Sequence, residues 1–158
     1  MDVLIRPARA TEAGILTELA LRSKAHWGYD ARFLKACRTE LTVAADEVAR
    51  RRAMVADRGG HILGFTTLEG EPPTGVLGMM FVAPQVIGQG VGRLLFEHTV
   101  AAGRDLGFTQ LTIDSDPHAE PFYRAMGAVR TGGVPSGSVA GRVLPRMVVT
   151  IRRCDSAA

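Results

Sequence analysis

The chain has 158 residues, 46% of them hydrophobic, with a formal net charge of +3 and a sequence pI near 9.3. That length suits a single domain, expected over residues 1–154 with a short tail at 155–158, and the apolar fraction is enough for one ordinary core. Aromatic residues make up 6%, and the basic residues are scattered apart from Arg50-Arg51-Arg52 and Arg152-Arg153, so the basic stripe of a nucleic-acid binder is missing and no apolar run is long enough to span a membrane. Cys37 and Cys154 stand far apart and form no Cys-x-x-Cys pair, so neither a metal site nor a disulfide framework is expected. The N-terminus enters an apolar segment with no basic leader, and the expected compartment is the reducing cytoplasm.

Val3 to Pro7 alternates as a short first strand, and Thr11 stands where an N-cap would precede Ile15, Leu16, Leu19 and Ala20 at helical spacing, which predicts a helix over residues 11–24. Ser23 to Asp30 breaks that periodicity and reads as a loop. A second helix runs through Phe33, Leu34 and Cys37, and a third, short one lies near Ala45 to Arg50. Ala53 to Ala56 and His61 to Leu68 read as two strands of a hairpin joined by Asp57-Arg58-Gly59-Gly60, with another turn at Glu69 to Gly75. Val76 to Val82 is apolar except at Gly78, as in a strand buried on both faces. A helix from Gly90 to Leu106 carries an apolar stripe at Val91, Leu94, Leu95, His98, Ala102 and Leu106, on which His98 is expected to be a hydrogen-bonded core histidine.

Leu111 to Asp114 is the next strand, and its link to Val76–Val82 through a helix calls for a parallel pair with a right-handed crossover. Pro117 and Pro121 restrict where the following helix begins, while Ala119, Phe122, Tyr123 and Met126 share one of its faces. Thr131 to Gly141, rich in Gly and Ser, is expected to be a loop, and Met147 to Ile151 a closing strand. The order of elements makes a mixed α/β sheet flanked by helices.

The run Ile87-Gly88-Gln89-Gly90-Val91-Gly92-Arg93 joins a strand to a helix through spaced glycines, a geometry that aims unpaired N–H groups and the positive helix end at one spot and so binds an anion. Glycines at 88, 90 and 92 keep side chains away from a phosphate. A Walker loop would need Lys-Ser/Thr after the glycines, where Arg93 and Leu94 stand. A dinucleotide fingerprint would need a glycine where Arg93 or Leu95 falls; with Asp114 as a ribose-binding acid it stays open as an alternative.

This run resembles the acyl-CoA-binding motif of the GNAT superfamily of N-acetyltransferases, with Ile87 in place of a polar or basic first residue. Asp116-Pro117-His118-Ala119-Glu120-Pro121-Phe122-Tyr123-Arg124-Ala125-Met126-Gly127-Ala128 is similar to a second segment of that family, with Ala119, Tyr123 and Gly127 in register, Asp116 for the usual Asn and Ala128 for the usual Phe. The resemblance implies the GNAT fold and transfer of an acetyl group from acetyl-CoA to a primary amine, in an enzyme that can be a homodimer. It further implies CoA contacts from Ile87 to Arg93, from the strand end at Phe81 and Val82, and from Asp116 and Tyr123.

Tyr123 is the implied general acid, since a phenol can protonate a departing thiolate; the alternative is a ring packed on the sheet with its hydroxyl bonded to backbone. The strand Leu77-Gly78-Met79-Met80 lacks the glutamate that many relatives use as a base, which leaves Glu69, Glu71, Asp116 and His26 as candidates. An acceptor wall is expected at Trp27 and Tyr29, which could equally pin a loop to the core, with Arg142 reading a carboxylate or phosphate. An acyl-CoA-binding module without turnover remains an alternative of a different class.

Overall fold

A computed structural model describes residues 2–153; the tail expected at 155–158, and Cys154 before it, lie outside the described residues. The elements are β1 (Leu4–Pro7), α1 (Ala13–Ala25), α2 (Ala31–Leu41), the single turn α3 (Glu47–Arg50), β2 (Met54–Arg58), β3 (His61–Glu69), β4 (Thr74–Val82), α4 (Val91–Leu106), β5 (Gln110–Asp114), α5 (Glu120–Ala125), β6 (Val129–Pro135) and β7 (Val143–Thr150). The strands form one seven-stranded sheet in the order β1-β2-β3-β4-β5-β7-β6. Every pair is antiparallel except β4–β5, the parallel pair that the intervening α4 requires.

Successive strand residues point to opposite faces, and the core divides accordingly. Val55, Phe65 and Met79 pack under α1 and α2 with Leu16, Leu19, Cys37 and Leu41, while Ala56 and Leu63 lie under α4 with Val91 and Leu95. Phe96 of α4 and Tyr123 of α5 join Leu68, Leu77, Phe108, Leu111, Ile113 and Met147 in a third cluster. No helix among the described residues is long and apolar enough to cross a membrane.

Several local expectations need correction. Thr11 is not a cap: it lies in a 3-10 turn at Ala10–Glu12, and Glu12 takes the backbone N–H of Arg9 at 2.8 Å and the Arg6 guanidinium at 2.8 and 3.0 Å. The buried face of α4 is Val91, Leu95, Phe96, Thr99 and Gly103, whereas Leu94 and Leu106 are 43% and 49% exposed. Thr99 joins that face because its hydroxyl bonds Thr66 Oγ1 and the Leu95 carbonyl, both at 2.9 Å. His98 is half-buried outside the core clusters and makes no side-chain hydrogen bond among the described residues.

β4 is not buried on both faces either, for Val76 and Gly78 are exposed. Thr131 to Pro135 belongs to β6 and not to a loop, because the strand's pairing with β7 shifts register between Arg130 and Gly132 and then continues to Pro135–Val143. Glycine suits that edge, where a Cβ at Gly133 would meet Val143 at 2.7 Å. The closing strand β7 accordingly begins at Val143, earlier than expected.

Candidate active site

The parallel ladder between β4 and β5 covers only Thr74–Gln110, Gly75–Leu111 and Val76–Thr112. Beyond it β4 runs on to Val82 and β5 to Asp114 without pairing to each other, so the sheet opens into a V. A bulge marks the start of the opening: between the pairs Leu68–Leu77 and Thr66–Met80, Gly78 and Met79 of β4 stand opposite the single Thr67. The free edge of β4 carries backbone groups with no strand partner on the β5 side, which is what an extended polar ligand needs. A cavity of about 530 Å³ fills the V, lined by Leu77 to Val82, Ile113 to Asp116, Phe122 and Tyr123.

At one end the cavity reaches the glycine turn. Gly88 and Gly90 both have φ of +85°, a region that favours glycine, and a Cβ at either would project into open space. Their N–H groups have no protein partner among the described residues, and Val91, Gly92 and Arg93 form the first turn of α4, whose N–H groups have no intrahelical acceptor. Gln89 differs, because its N–H is spent on the Val86 carbonyl at 3.2 Å. Gly92 has a packing reason beyond phosphate clearance: a Cβ there would lie 3.3 Å from Phe122 and 3.4 Å from Met80. Ile87 and Arg93 line the cavity at this end, with the Arg93 guanidinium exposed and 3.6 Å from Glu97.

Tyr123 lies deep in the V, packed against Phe122 and Phe96 with ring centroids 5.3 and 6.2 Å away. The residue is buried, yet its hydroxyl makes no hydrogen bond among the described residues and the side chain lines the cavity. Bonding of that hydroxyl to backbone is therefore not what the structure has. Burial, and then the nearby Asp116 carboxylate, push the phenol well above its ordinary value, so it holds its proton at neutral pH.

The other end of the cavity is walled by a charged cluster centred on Asp116. Its carboxylate accepts from Lys24 Nζ at 2.7 Å, the Tyr29 hydroxyl at 3.1 Å, the His118 backbone N–H at 2.8 Å and Arg142 at 3.2 Å, with His118 Nδ1 at 2.9 Å. Burial opposes ionisation, but the Lys24 ammonium and the His118 donors outweigh it and hold the carboxyl well below the usual range. Such a saturated carboxylate is a poor base and has little left to offer a cofactor.

Trp27 lines the cavity, stacked on the His118 ring at 5.1 Å. Tyr29 and Arg142 stand behind the wall. Arg142 donates to the Tyr29 hydroxyl at 2.7 Å and lies over the Tyr29 and Phe33 rings, so the carboxylate it reads is Asp116 of its own chain. Sequence reading missed Lys24 and His118 in this role. Lys24 meets Asp116 across 92 positions, and no local pattern signals that pairing.

Of the remaining base candidates, Glu71 is 87% exposed and pairs with Arg52, and His26 packs edge-on to Trp27 outside the cavity lining. Glu69 lies beside the β4 bulge.

A family model described as an acetyltransferase (GNAT) domain matches residues 17–151. No curated protein sequence matches the chain significantly. Among solved structures, the PaiA N-acetyltransferase of Thermoplasma acidophilum in complex with coenzyme A is similar with a TM-score of 0.80 and 16% identity, over 95% of this chain and 99% of that one. The ribosomal-protein-S18-alanine N-acetyltransferase of Escherichia coli gives 0.72 and 16% over 99% of both chains. Salmonella typhimurium yncA, with its cofactor acetyl-CoA, gives 0.68 and 18% over 100% of this chain and 99% of that one. At these identities the structural likeness is one of fold.

Proposed function

The chain belongs to the GNAT acetyltransferase family, and on that premise we propose that it moves an acetyl group directly from acetyl-CoA to a primary amine. The observation that carries this reading is one cavity joining the glycine turn, the edge of β4 and the Tyr123 hydroxyl, the last two without partners there among the described residues. The N–H groups of Gly88, Gly90, Val91, Gly92 and Arg93 suit the CoA pyrophosphate, and the Arg93 side chain adds charge beside it. Ile87 offers only apolar contact. Phe81 and Val82 supply backbone to the pantetheine arm, and a fixed N–H there stabilises the oxygen of the tetrahedral intermediate.

Tyr123 protonates the departing thiolate. Its raised pKa does not forbid this, because the thiolate leaves into the same apolar cavity and suffers the same desolvation. Trp27 walls the acceptor side, and Tyr29, Asp116 and Arg142 hold that wall in place.

Thermal shift tests the reading, since a ligand that binds only the native state stabilises it by RT ln(1 + [L]/Kd). Acetyl-CoA and CoA should raise the melting temperature while NAD and ATP do not; the reverse would favour a dinucleotide enzyme. A screen of amines, amino acids, polyamines and peptides for CoA thiol release then separates a transferase from a module that binds without turnover.

A further inference from the structure

An alkyl amine is protonated at neutral pH and cannot attack a thioester until it loses a proton. Resting on the transferase reading above, we propose that Glu69 is the general base that takes this proton from the acceptor through one water. Other groups near the cavity are committed elsewhere: Asp116 is saturated with donors, His118 Nδ1 lies against Asp116 and Tyr29, and Asp114 is bound by both arms of Arg146 at 2.8 and 3.1 Å. Glu40 lines the cavity but is exposed, with no hydrogen bond among the described residues to fix it.

Glu69 is fixed. It ends β3 opposite Val76, and its carboxylate lies directly over Gly78, where a Cβ would run into it. Gly78 lines the cavity and Glu69 does not, so the carboxylate stands just behind the cavity wall at the bulge, where only a water would carry a proton between it and the V. Oε2 accepts from Thr67 Oγ1 at 2.7 Å and from Arg51 at 3.1 Å, which sets its orientation; Oε1 has no partner among the described residues. A second, polar recess of about 500 Å³ is walled by Glu69 and shares Glu40 with the cavity, which gives the abstracted proton a way out to solvent.

The step balances. Glu69 takes one proton from the ammonium by way of the water, and the neutral nitrogen forms a bond to the thioester carbon. The carbon–sulfur bond breaks with its electron pair on sulfur, and Tyr123 protonates that thiolate. The second nitrogen proton leaves as the amide forms and restores the Tyr123 phenol through solvent, while Glu69 gives up its proton through the recess. The sum is ammonium plus thioester giving amide, thiol and one proton.

The test compares an alkylamine found in the screen with the matching alkoxyamine, which is already neutral at pH 7. Glu69→Gln should lower kcat/KM for the alkylamine by about 10²- to 10⁴-fold at neutral pH, the usual contribution of a general base. The deficit should close as pH rises toward the amine's own pKa near 10, and the alkoxyamine should be little affected at any pH. Arg51→Gln removes the same ion pair but keeps the carboxylate on its Thr67 hydrogen bond, and should change the ratio of alkylamine to alkoxyamine rates far less than Glu69→Gln does. Glu69→Ala combined with Gly78→Glu puts a carboxylate back from β4 and should recover part of the alkylamine rate that Glu69→Ala alone loses. Equal losses for both nucleophiles in Glu69→Gln, or Arg51→Gln shifting the ratio as strongly, would overturn the assignment while leaving the transferase reading intact. A parent protein that binds acetyl-CoA but transfers to neither nucleophile overturns that reading and the assignment with it.

Discussion

Tyr123 divides between the core and the cavity. Its ring is held by Phe96 and Phe122, while its hydroxyl makes no hydrogen bond among the described residues. Tyr123→Phe therefore keeps the packing and removes nothing that stabilises the fold, and stability should stay within about 0.5 kcal/mol of the parent. If the hydroxyl protonates the thiolate, kcat should fall by roughly 10²- to 10⁴-fold with CoA affinity unchanged. Turnover, CoA affinity and melting temperature measured on one preparation decide it; parent-level turnover while chemistry limits the rate would remove Tyr123 from the mechanism. The candidacy of Tyr123 was readable in its spacing from Ala119 and Gly127, but the state of its hydroxyl was not, because hydrogen-bond satisfaction depends on neighbours distant in sequence. Asp116 makes the same point: its place was legible, whereas its saturation by Lys24, Tyr29 and Arg142 arises only when three segments meet.

The glycine turn is the element most fully written in the sequence, since its spacing alone indicates curled backbone and exposed N–H groups, and Gly88 and Gly90 do take positive φ. Gly90→Glu should abolish CoA binding by setting a negative charge in the cradle, and should also strain the backbone by about 1–2 kcal/mol, the cost of a left-handed L-residue. Ile87→Arg should tighten CoA binding by adding a cation at the rim. Calorimetry with CoA and with pantetheine separates the effects: pantetheine has no pyrophosphate, so equal losses for both ligands in Gly90→Glu would show that the turn does not hold that group. Elements whose limits depend on partners were less legible. The apolar residues of α4 permit more than one buried stripe, and the strands beneath chose the one containing Thr99, with Thr66 supplying its hydrogen-bond partner. The glycines of β6 looked like a loop because a composition rule does not see a partner strand that accepts a bulge. The V between β4 and β5 left no local trace at all, since it is set by where a ladder stops.

Across the whole molecule, two carboxylate clusters tie distant segments together, and both make stability depend on pH. Arg6 links Glu12 at the start of α1 to Asp57 of β2, and Asp116 links the ends of α1 and β5 to the β6–β7 loop. The Arg6 hydrogen bonds hold Glu12 at about 2, below its ordinary 4.5, and Asp116 is depressed as well. A carboxyl whose folded pKa lies below its unfolded value contributes stability that is fully present above the unfolded value and lost as pH falls through the folded one. The melting temperature should therefore hold down to about pH 5 and then drop toward about pH 2. Tyr29 and Tyr123 set the alkaline limit: burial, and then Asp116, push Tyr29 up to about 12 from 10.0 and raise Tyr123 as well, so their contribution is complete below the unfolded value and disappears as pH rises through the folded ones. Glu12→Gln should lower the melting temperature at neutral pH and flatten the acid slope, leaving the Asp116 cluster intact. Asp116→Asn should do the same, and should also change the emission of Trp27, the chain's one tryptophan, because the His118 ring it stacks on loses the carboxylate that anchors it. Melting curves and Trp27 emission from acid to alkaline pH for the three proteins resolve the two clusters. An acid slope unchanged in both variants would mean that neither carboxylate governs stability, and Trp27 emission that responds to Glu12→Gln as strongly as to Asp116→Asn would mean that the two ends of the sheet unfold as one.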